Sequence, residues 1–249
     1  MTSISLLKAL TEAGVGSRRW ITDAIKNGRV EVNGEPVENF RHPVNLETDR
    51  VSVQGKAVDL KPRQVVYLMV NKPAGTITTT SDERGRRTVL DILPQKYRHL
   101  RLYPVGRLDK DSTGLLLLTN DGDITYKLTH PKFEHEKEYL IHIDGRIKPD
   151  ERRKLEEGFE LEDGMTHPVA VKEIKSQPPF NYSMTMHEGR KRQVRRMLES
   201  LGYRVLALKR IRMGNLNRGN LKEGTVRELA PAEVRALLAA KPPKPSPPR

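Results

Sequence analysis

A group of charged residues stands directly before a short apolar run near the middle of the chain. The run, residues 115–118, consists of four leucines and has the length of a buried strand. The charged residues before it are Arg107, Asp109, Lys110 and Asp111. Because burying an unpaired charge is costly, a buried strand beside these residues suggests that they are paired or used. A solvated turn between two strands is the alternative when these residues are taken alone.

The charge of the whole chain favours a polyanionic partner. The 249 residues carry a formal net charge of +13, and the first 60 hold eight basic and eight acidic side chains, so the excess lies in residues 61–249. Residues 187–212 alone hold nine basic and two acidic side chains. The absence of cysteine excludes disulfides, cysteine-based zinc sites and thiol nucleophiles. Neither a signal-peptide pattern nor a bilayer-length apolar stretch is present, which predicts a cytoplasmic protein without membrane association.

Apolar periodicity and turn residues predict the elements that position the charged group. Helices are expected within residues 3–14, 17–27, 89–93, 123–128, 149–157 and 191–201, and from residue 231. Strands are expected within residues 29–34, 65–70, 76–80, 115–118, 137–143, 169–174, 182–186, 205–213 and 225–229. Strands outnumber helices and tight turns join several of them, which predicts an α+β fold with a mixed, largely antiparallel sheet flanked by helices. Glycine-rich nucleotide motifs and metal-binding histidine spacings are absent, so we expect neither cofactor nor metal.

The first 60 residues form a separate pattern of two helices followed by a strand. Residues 13–19 (Ala-Gly-Val-Gly-Ser-Arg-Arg), 25–30 (Ile-Lys-Asn-Gly-Arg-Val) and 32–34 (Val-Asn-Gly) resemble the S4 RNA-binding domain. Its candidate RNA contacts are Arg18, Arg19, Lys26 and Arg29. Trp20 stands where that family more often has a small residue, and we expect it to pack rather than to stack on RNA. The composition changes near residue 61, which predicts domains at 1–60 and 61–240 and a disordered Pro- and Lys-rich tail at 241–249.

Four ordered motifs in the larger domain resemble the bacterial rRNA pseudouridine synthases of the RsuA/RluB/RluE/RluF family. They are residues 71–75 (Asn-Lys-Pro-Ala-Gly), 106–122 around Asp109, 136–139 (Glu-Lys-Glu-Tyr) and 188–197 (Glu-Gly-Arg-Lys-Arg-Gln-Val-Arg-Arg-Met). An N-terminal S4 domain is also this family's usual arrangement. The resemblance therefore implies an S4 domain followed by a pseudouridine synthase domain, and an enzyme that isomerises uridine in RNA.

The resemblance assigns three catalytic residues. Asp109 matches the family's essential aspartate, Tyr139 the tyrosine that faces the target base, and Arg195 the arginine that pairs with the aspartate. A guanidinium beside a carboxylate keeps the carboxylate ionised when substrate expels water. Attack of Asp109 on C1′ of the ribose and abstraction of a sugar proton to give a glycal both remain open. On the predicted helix Arg195 borders the apolar face, so its side chain can reach inward.

The expected partner is a structured stem-loop of ribosomal RNA, from which the uridine must be extruded into a pocket. Arg107 is the candidate to fill the vacated space or to clamp a phosphate. Basic side chains expected to hold the RNA backbone are Arg190, Arg192, Arg196, Lys209, Arg210 and Arg212. The motif around Asp109 is most similar to the branch that includes RluB, which implies large-subunit (23S) rRNA; 16S rRNA is the alternative. A non-catalytic RNA-binding or ribosome-assembly protein is the rival function, and a monomer is expected.

Overall fold

The computed structural model describes residues 3–61 and 63–239, and its backbone divides into two compact units at residues 1–65 and 66–249. The boundary predicted at residue 61 lies slightly before this division. The predicted tail at 241–249 lies outside the described residues.

The N-terminal unit packs two helices on short antiparallel strands. Its elements are β1 (Ser3–Ser5), α1 (Leu6–Glu12), α2 (Arg18–Lys26), β2 (Val30–Val32), β3 (Glu35–Pro36), β4 (Pro43–Asn45), β5 (Val51–Val53) and β6 (Lys56–Val58). The Ser17 side chain caps α2 by accepting a hydrogen bond from the Trp20 amide at 3.0 Å. Asn33 and Gly34 both have positive φ, as a tight turn between β2 and β3 requires. A helix from residue 3 is wrong, since Ile4 lies in β1 and pairs with Val44 of β4.

The larger unit contains the remaining elements. Its strands are β7 (Tyr67–Lys72), β8 (Tyr103–Val105), β9 (Thr113–Thr119), β10 (Lys137–Ile143), β11 (Glu160–Leu161), β12 (Gly164–Met165), β13 (Ala170–Glu173), β14 (Tyr182–Met186), β15 (Val205–Met213), β16 (Leu216–Asn217) and β17 (Val226–Glu228). Its α-helices are α3 (Gly122–Thr129), α4 (Pro149–Glu157), α5 (Gln193–Ser200) and α6 (Pro231–Ala239), with short 3-10 turns at Gln95–Tyr97 and Pro131–Phe133.

One mixed sheet organises this unit. Among the described residues its strand order is β13-β14-β10-β15-β9-β7-β17, with β8 paired to β9 and β16 paired to β15. The β9–β15 pair is parallel, and the other pairs are antiparallel. The four leucines of β9 alternate between two apolar clusters, one on each face, which explains why the strand is continuously apolar. The predicted α+β fold with a mostly antiparallel sheet flanked by helices is confirmed.

Helices cover both faces of the sheet. Val194, Met197 and Leu198 of α5 enter one cluster, as their spacing predicts, while α3 and α6 supply apolar side chains to the other. The helix predicted over 89–93 is wrong, since the backbone there forms turns and a 3-10 turn follows Pro94. The strand predicted over 76–80 is reduced to one bridge between Ile77 and Thr88.

Candidate active site

A cavity of about 470 Å³ opens beside the loop that joins β8 to β9. Its walls come from this loop, from the C-terminal end of α3, from β10 and β15, and from the segment that joins β14 to α5. Polar and charged side chains that line it include Arg107, Asp109, Ser112, His130, His135, Lys137, Tyr139, Glu188, Arg190, Arg192 and Arg210. The motifs that the sequence singles out at 106–122, 136–139 and 188–197 therefore meet around one cavity.

Asp109 lies half-buried in the loop between β8 and β9. The buried side chain of Leu108 anchors the loop in the core, and the Thr78 hydroxyl donates to the Leu108 carbonyl at 2.8 Å. On the other side, the Ser112 amide donates to the Asp109 carbonyl at 3.1 Å. The loop backbone is thus fixed before and after the carboxylate, whereas the neighbouring side chains of Lys110 and Asp111 are exposed.

Lys72, at the end of β7, holds the same loop from inside the protein. Its side chain is fully buried, and Nζ donates to the carbonyls of Ser112 at 2.7 Å, Lys110 at 3.1 Å and Pro73 at 3.1 Å. Burial lowers the pKa of Lys72 to about 8, and the negative charges of Asp111 and Asp109 oppose this shift only in part. Lys72 belongs to the motif at 71–75, but the sequence alone does not assign a role to its side chain. Only its distant acceptors reveal that it positions the loop of Asp109.

Tyr139 lies on β10 with its side chain 8% exposed, and it lines the cavity. In the sheet it stands directly opposite Met184 of β14 and Arg210 of β15. Flanking strands therefore fix the backbone of Tyr139 on both sides. The structure brings Tyr139 and Asp109 to the same cavity.

Arg195 does not pair with Asp109 in this structure. Its side chain is buried on α5, and Nη1 donates to the Val205 carbonyl at 3.0 Å. Arg195 is absent from the cavity wall, and no ion pair joins it to Asp109 within residues 3–61 and 63–239. Its Nε is buried and has no hydrogen-bond partner among those residues, so the guanidinium retains an unused donor.

Arg210 occupies the cavity instead of the protein surface, where an RNA backbone contact was expected. It is 2% exposed, Nε donates to the Leu115 carbonyl at 2.7 Å, and Nη2 has no partner in the described part of the chain. A register shift between Glu138 and Tyr139 explains the orientation, because Arg212 pairs with Glu138 whereas Arg210 pairs with Tyr139. Such an irregularity turns the two arginines to opposite faces of the sheet.

A lysine and a histidine add to the electrostatics of the cavity. Burial lowers the pKa of Lys137 to about 8, and the charge of Arg210 adds to this effect while Glu188 opposes it. Burial also lowers the pKa of His135, and its Nδ1 has no partner among the described residues. Lys137 and the arginines of the wall thus place positive charge around the carboxylates of Asp109 and Glu188, which suits an anionic substrate. The lowered pKa of His135 favours its neutral form.

Several other predicted RNA contacts are engaged within the protein. Arg190 contacts Glu188 at 3.1 Å, Arg196 contacts Asp163 at 2.9 Å, and Arg212 contacts Glu136 at 2.7 Å and Glu138 at 2.9 Å. Acceptors inside the fold therefore hold these guanidinium groups. The acidic partners of these three arginines could not be identified from the basic residues alone.

The remaining candidates are more accessible. Arg107 is exposed at the cavity edge, and Arg192 lines the cavity while its side chain stays partly exposed. Lys209 lies over the Phe180 ring, with Nζ 5.6 Å from the ring centroid. Arg107 and Arg192 thus keep contact with solvent, and Lys209 lies on the Phe180 ring, whereas Arg210 is buried.

In the N-terminal unit, Arg18, Arg19 and Lys26 are exposed on α2, and Arg29 pairs with Asp23. Trp20 follows the two arginines, is 38% exposed, and lies against Gly16 so closely that a side chain at Gly16 would collide with its ring. The ring therefore packs on the backbone while part of it remains accessible.

Among the described residues, no side chains are grouped in a way typical of a metal site. Within residues 3–61 and 63–239, no three histidine, aspartate or glutamate side chains are arranged to hold a metal ion. The same residues contain no helix of the length and apolar character needed to cross a bilayer.

Comparison with known proteins points to one family. Residues 66–200 match the family of RNA pseudouridylate synthases. The chain is 42% identical over 240 residues to ribosomal large subunit pseudouridine synthase B of Bacillus subtilis, covering 94% of this chain and 95% of that protein. It is 38% identical over 242 residues to an uncharacterised RNA pseudouridine synthase of Aquifex aeolicus, covering 96% of both. A crystal structure of a pseudouridylate synthase superimposes with a TM-score of 0.67 at 30% identity, covering 94% of this chain and 100% of that one.

Proposed function

Because the chain belongs to the RNA pseudouridylate synthase family, we propose that it isomerises one uridine of large-subunit (23S) ribosomal RNA to pseudouridine. The observation that carries the chemistry is the meeting of Asp109 and Tyr139 in one cavity of about 470 Å³. The choice of the large subunit rests on the similarity to the Bacillus subtilis enzyme and on the motif around Asp109.

Asp109 is the proposed nucleophile or base. Isomerisation breaks the bond from N1 of uracil to C1′ of ribose and forms a bond from C5 to C1′; the proton leaves C5, and N1 gains one. A carboxylate held at the sugar can either attack C1′ or remove a ribose proton to give a glycal. The fixed loop backbone around Asp109 supports both routes, because each needs the carboxylate at a defined position beside the sugar.

Tyr139 is proposed to contact the uracil ring. Its side chain is held between β14 and β15 and faces the same cavity as Asp109. An aromatic ring in such a position can stack on the base, and its hydroxyl can take part in removal of the proton from C5.

A guanidinium is proposed to keep Asp109 ionised after the RNA has excluded water. The resemblance assigns this task to Arg195, whose unused Nε supports a contact that forms only with substrate bound. Arg210 is the rival, since it already lines the cavity and has an unused Nη2. Substitution of each arginine distinguishes them, as described in the Discussion.

The cavity of about 470 Å³ has the size of a small-ligand pocket and is too small for a duplex, which supports extrusion of the target uridine into it. Extrusion costs a few kcal/mol and must be compensated by contacts to the rest of the RNA. Arg107 and Arg192 at the cavity are proposed to contact the RNA backbone there. The N-terminal unit is proposed to be an S4 domain that binds the RNA through Arg18, Arg19 and Lys26, in a monomeric cytoplasmic enzyme.

Chemical mapping of pseudouridine in rRNA tests the proposed function. RNA from a strain that lacks this gene is incubated with the wild type, with Asp109→Asn, and with Asp111→Asn as a matched control. Asp111 is an exposed carboxylate two residues away, so its variant should retain activity, whereas Asp109→Asn should form no pseudouridine. We expect one new pseudouridine in 23S rRNA.

The other outcomes identify the alternatives. A new pseudouridine in 16S rRNA would move the target to the small subunit. Binding of rRNA by the wild type without any pseudouridine would refute the enzymatic function and favour a binding or assembly protein.

A further inference from the structure

Three aromatic rings form a cluster where α3 ends and the following 3-10 turn begins. The ring centroids of Tyr126 and His130 lie 4.8 Å apart, those of Tyr126 and Phe133 lie 5.8 Å apart, and those of His130 and Phe133 lie 6.3 Å apart. Tyr126 and His130 are four residues apart on or directly after α3, so they share one face of the helix. We refer to these three residues as the aromatic cluster.

The aromatic cluster adjoins the candidate active site. His130 lines the cavity that holds Asp109, together with its neighbours Thr129 and Pro131. The cap of α3 fixes the position of the helix, since the Asp121 carboxylate accepts from the amides of Asp123 at 2.9 Å and Ile124 at 3.1 Å. The helix that carries Tyr126 is therefore capped at its N-terminal end, and its C-terminal end adjoins the cavity.

The outer ring of the cluster, Tyr126, remains exposed to solvent. Tyr126 is 49% exposed, in a chain with only 5% aromatic residues. The local turn does not depend on Tyr126, because the His130 side chain itself accepts from the Lys132 amide at 3.3 Å. The core of α3 is formed by Ile124 and Leu128 on another face. An exposed ring beside a binding cavity is typical of an interaction surface.

A lysine occupies the position where a ligand would stack. Lys132 Nζ lies 5.2 Å from the Tyr126 centroid and 4.8 Å from the Phe133 centroid. At an exposed site a cation over a ring changes an equilibrium by about 2- to 5-fold. A nucleic-acid base stacked on an aromatic side chain contributes about 5- to 150-fold. A base can therefore displace the ammonium from the rings, and the released charge can then contact a phosphate.

We propose that the aromatic cluster stacks on an unpaired base next to the extruded uridine, while Lys132 contacts the RNA backbone. This inference rests on the proposed function. The occupant follows from continuity with the cavity and from charge, since Lys127 and Lys132 flank the rings in a chain of net charge +13. Once the uridine has left the stack, its neighbours lose a stacking partner, and the cluster supplies a replacement.

The first test measures binding and turnover of a fluorescein-labelled stem-loop from 23S rRNA whose loop contains unpaired uridines. Tyr126→Ala should raise the Kd and the KM by about 5- to 150-fold, and kcat at saturating RNA should stay within twofold. Tyr126→Phe retains the ring and should stay within twofold of the wild type in all three quantities. Lys132→Ala should reduce the slope of log Kd against log salt concentration by about one.

Phe180→Ala is the matched control for the loss of an aromatic side chain. Phe180 is half-buried, has a lysine over its ring, and lies outside the cavity wall. Its substitution should leave the Kd within twofold of the wild-type value. Thermal unfolding of Tyr126→Ala then distinguishes loss of an RNA contact from loss of protein structure. If Tyr126 contacts RNA, the variant should have an unchanged Tm and a raised Kd.

A second test removes bases from the RNA. Abasic nucleotides replace the unpaired positions one at a time, and each RNA is measured with the wild type and with Tyr126→Ala. At one position the loss of binding free energy from the abasic nucleotide and the loss from Tyr126→Ala should fail to add, because both changes remove the same contact. Additive losses at every position, or a Kd of Tyr126→Ala within twofold of the wild type, would overturn the proposal.

These binding measurements are independent of catalysis. Failure of the proposed function would appear as a wild type that forms no pseudouridine. Failure of the aromatic cluster proposal would appear as additive losses in binding, whether or not pseudouridine forms.

Discussion

The buried lysine beneath the loop of Asp109 leads to a prediction about the pH dependence of stability. Lys72 has a pKa lowered from 10.5 to about 8 in the folded protein, mainly by burial. Between these two values the unfolded chain binds the proton and the folded protein does not. The free energy of unfolding therefore rises with pH through this window, because the unfolded state binds more protons.

The size of this effect follows from the two pKa values. From pH 7 to pH 9.5 the contribution of Lys72 to the free energy of unfolding increases by about 2 kcal/mol. Other groups titrate in the same window, among them Lys137 with a pKa lowered to about 8. The comparison of the wild type with Lys72→Met cancels their contributions, so the difference in stability between the two proteins should grow by about 2 kcal/mol over this range.

Urea unfolding followed by far-UV circular dichroism at several pH values measures this difference. Lys110→Met is the matched control, since Lys110 is an exposed lysine of the same loop and its variant should show no comparable pH dependence relative to the wild type.

A stability difference between the wild type and Lys72→Met that stays constant from pH 7 to pH 9.5 would refute the reasoning. It would mean that Lys72 keeps a normal pKa, and hence that its amino group reaches solvent instead of the three carbonyls of the loop.

Two further predictions concern Gly114 on β9 and Arg195 on α5. Gly114→Ala should destabilise the protein by more than about 4 kcal/mol, because Gly114 has a φ of +102° and a Cβ there would lie 2.1 Å from the Arg210 carbonyl oxygen. Gly122→Ala, where the nearest atom is the Tyr103 hydroxyl at 3.5 Å, should change the stability by no more than about 0.5 kcal/mol, and equal Tm values for the two variants would contradict the close approach. If Arg195 is the proposed partner of Asp109, Arg195→Lys should lower kcat by about 100-fold with little change in the Kd for RNA, because a misplaced charge affects turnover more than binding. If single-turnover assays show this loss only for Arg210→Lys, with both variants folded, the partner of Asp109 is Arg210.

Local sequence patterns were sufficient to predict secondary structure where the apolar residues of an element follow one clear periodicity. The four leucines of β9 predict a buried strand, which the structure contains and shows to be buried on both faces. The stripe of α5 predicts a helix at 191–201, and the structure has a helix over Gln193–Ser200. The fold class and the family are likewise confirmed. The helix predicted over 3–14 is wrong at its start, because Ile4 pairs with Val44 in a strand. The strand predicted over 76–80 is reduced to one bridge between Ile77 and Thr88, and the helix predicted over 89–93 is replaced by turns. These outcomes depend on segments outside each predicted element.

The sequence by itself determined which residue types could do chemistry and which family they resemble. The basic segment at 187–212 indicates a polyanionic partner, and the resemblance of the motif around Asp109 and of the segment ending at Tyr139 implies the reaction before any contact is known. Each motif consists of residues close together in the sequence, so it can be recognised without knowing the fold.

Only the tertiary structure decided what each charged side chain contacts. Arg210 and Arg212 are equivalent in the sequence, yet a shift in strand register puts one into the cavity and the other against Glu136 and Glu138. Lys72 reaches carbonyls 38 and 40 residues away, and Arg195 turns to Val205 rather than to Asp109. The physical reason is that a buried polar group must find its partner among whatever the fold brings close, and that choice is made by packing across distant strands.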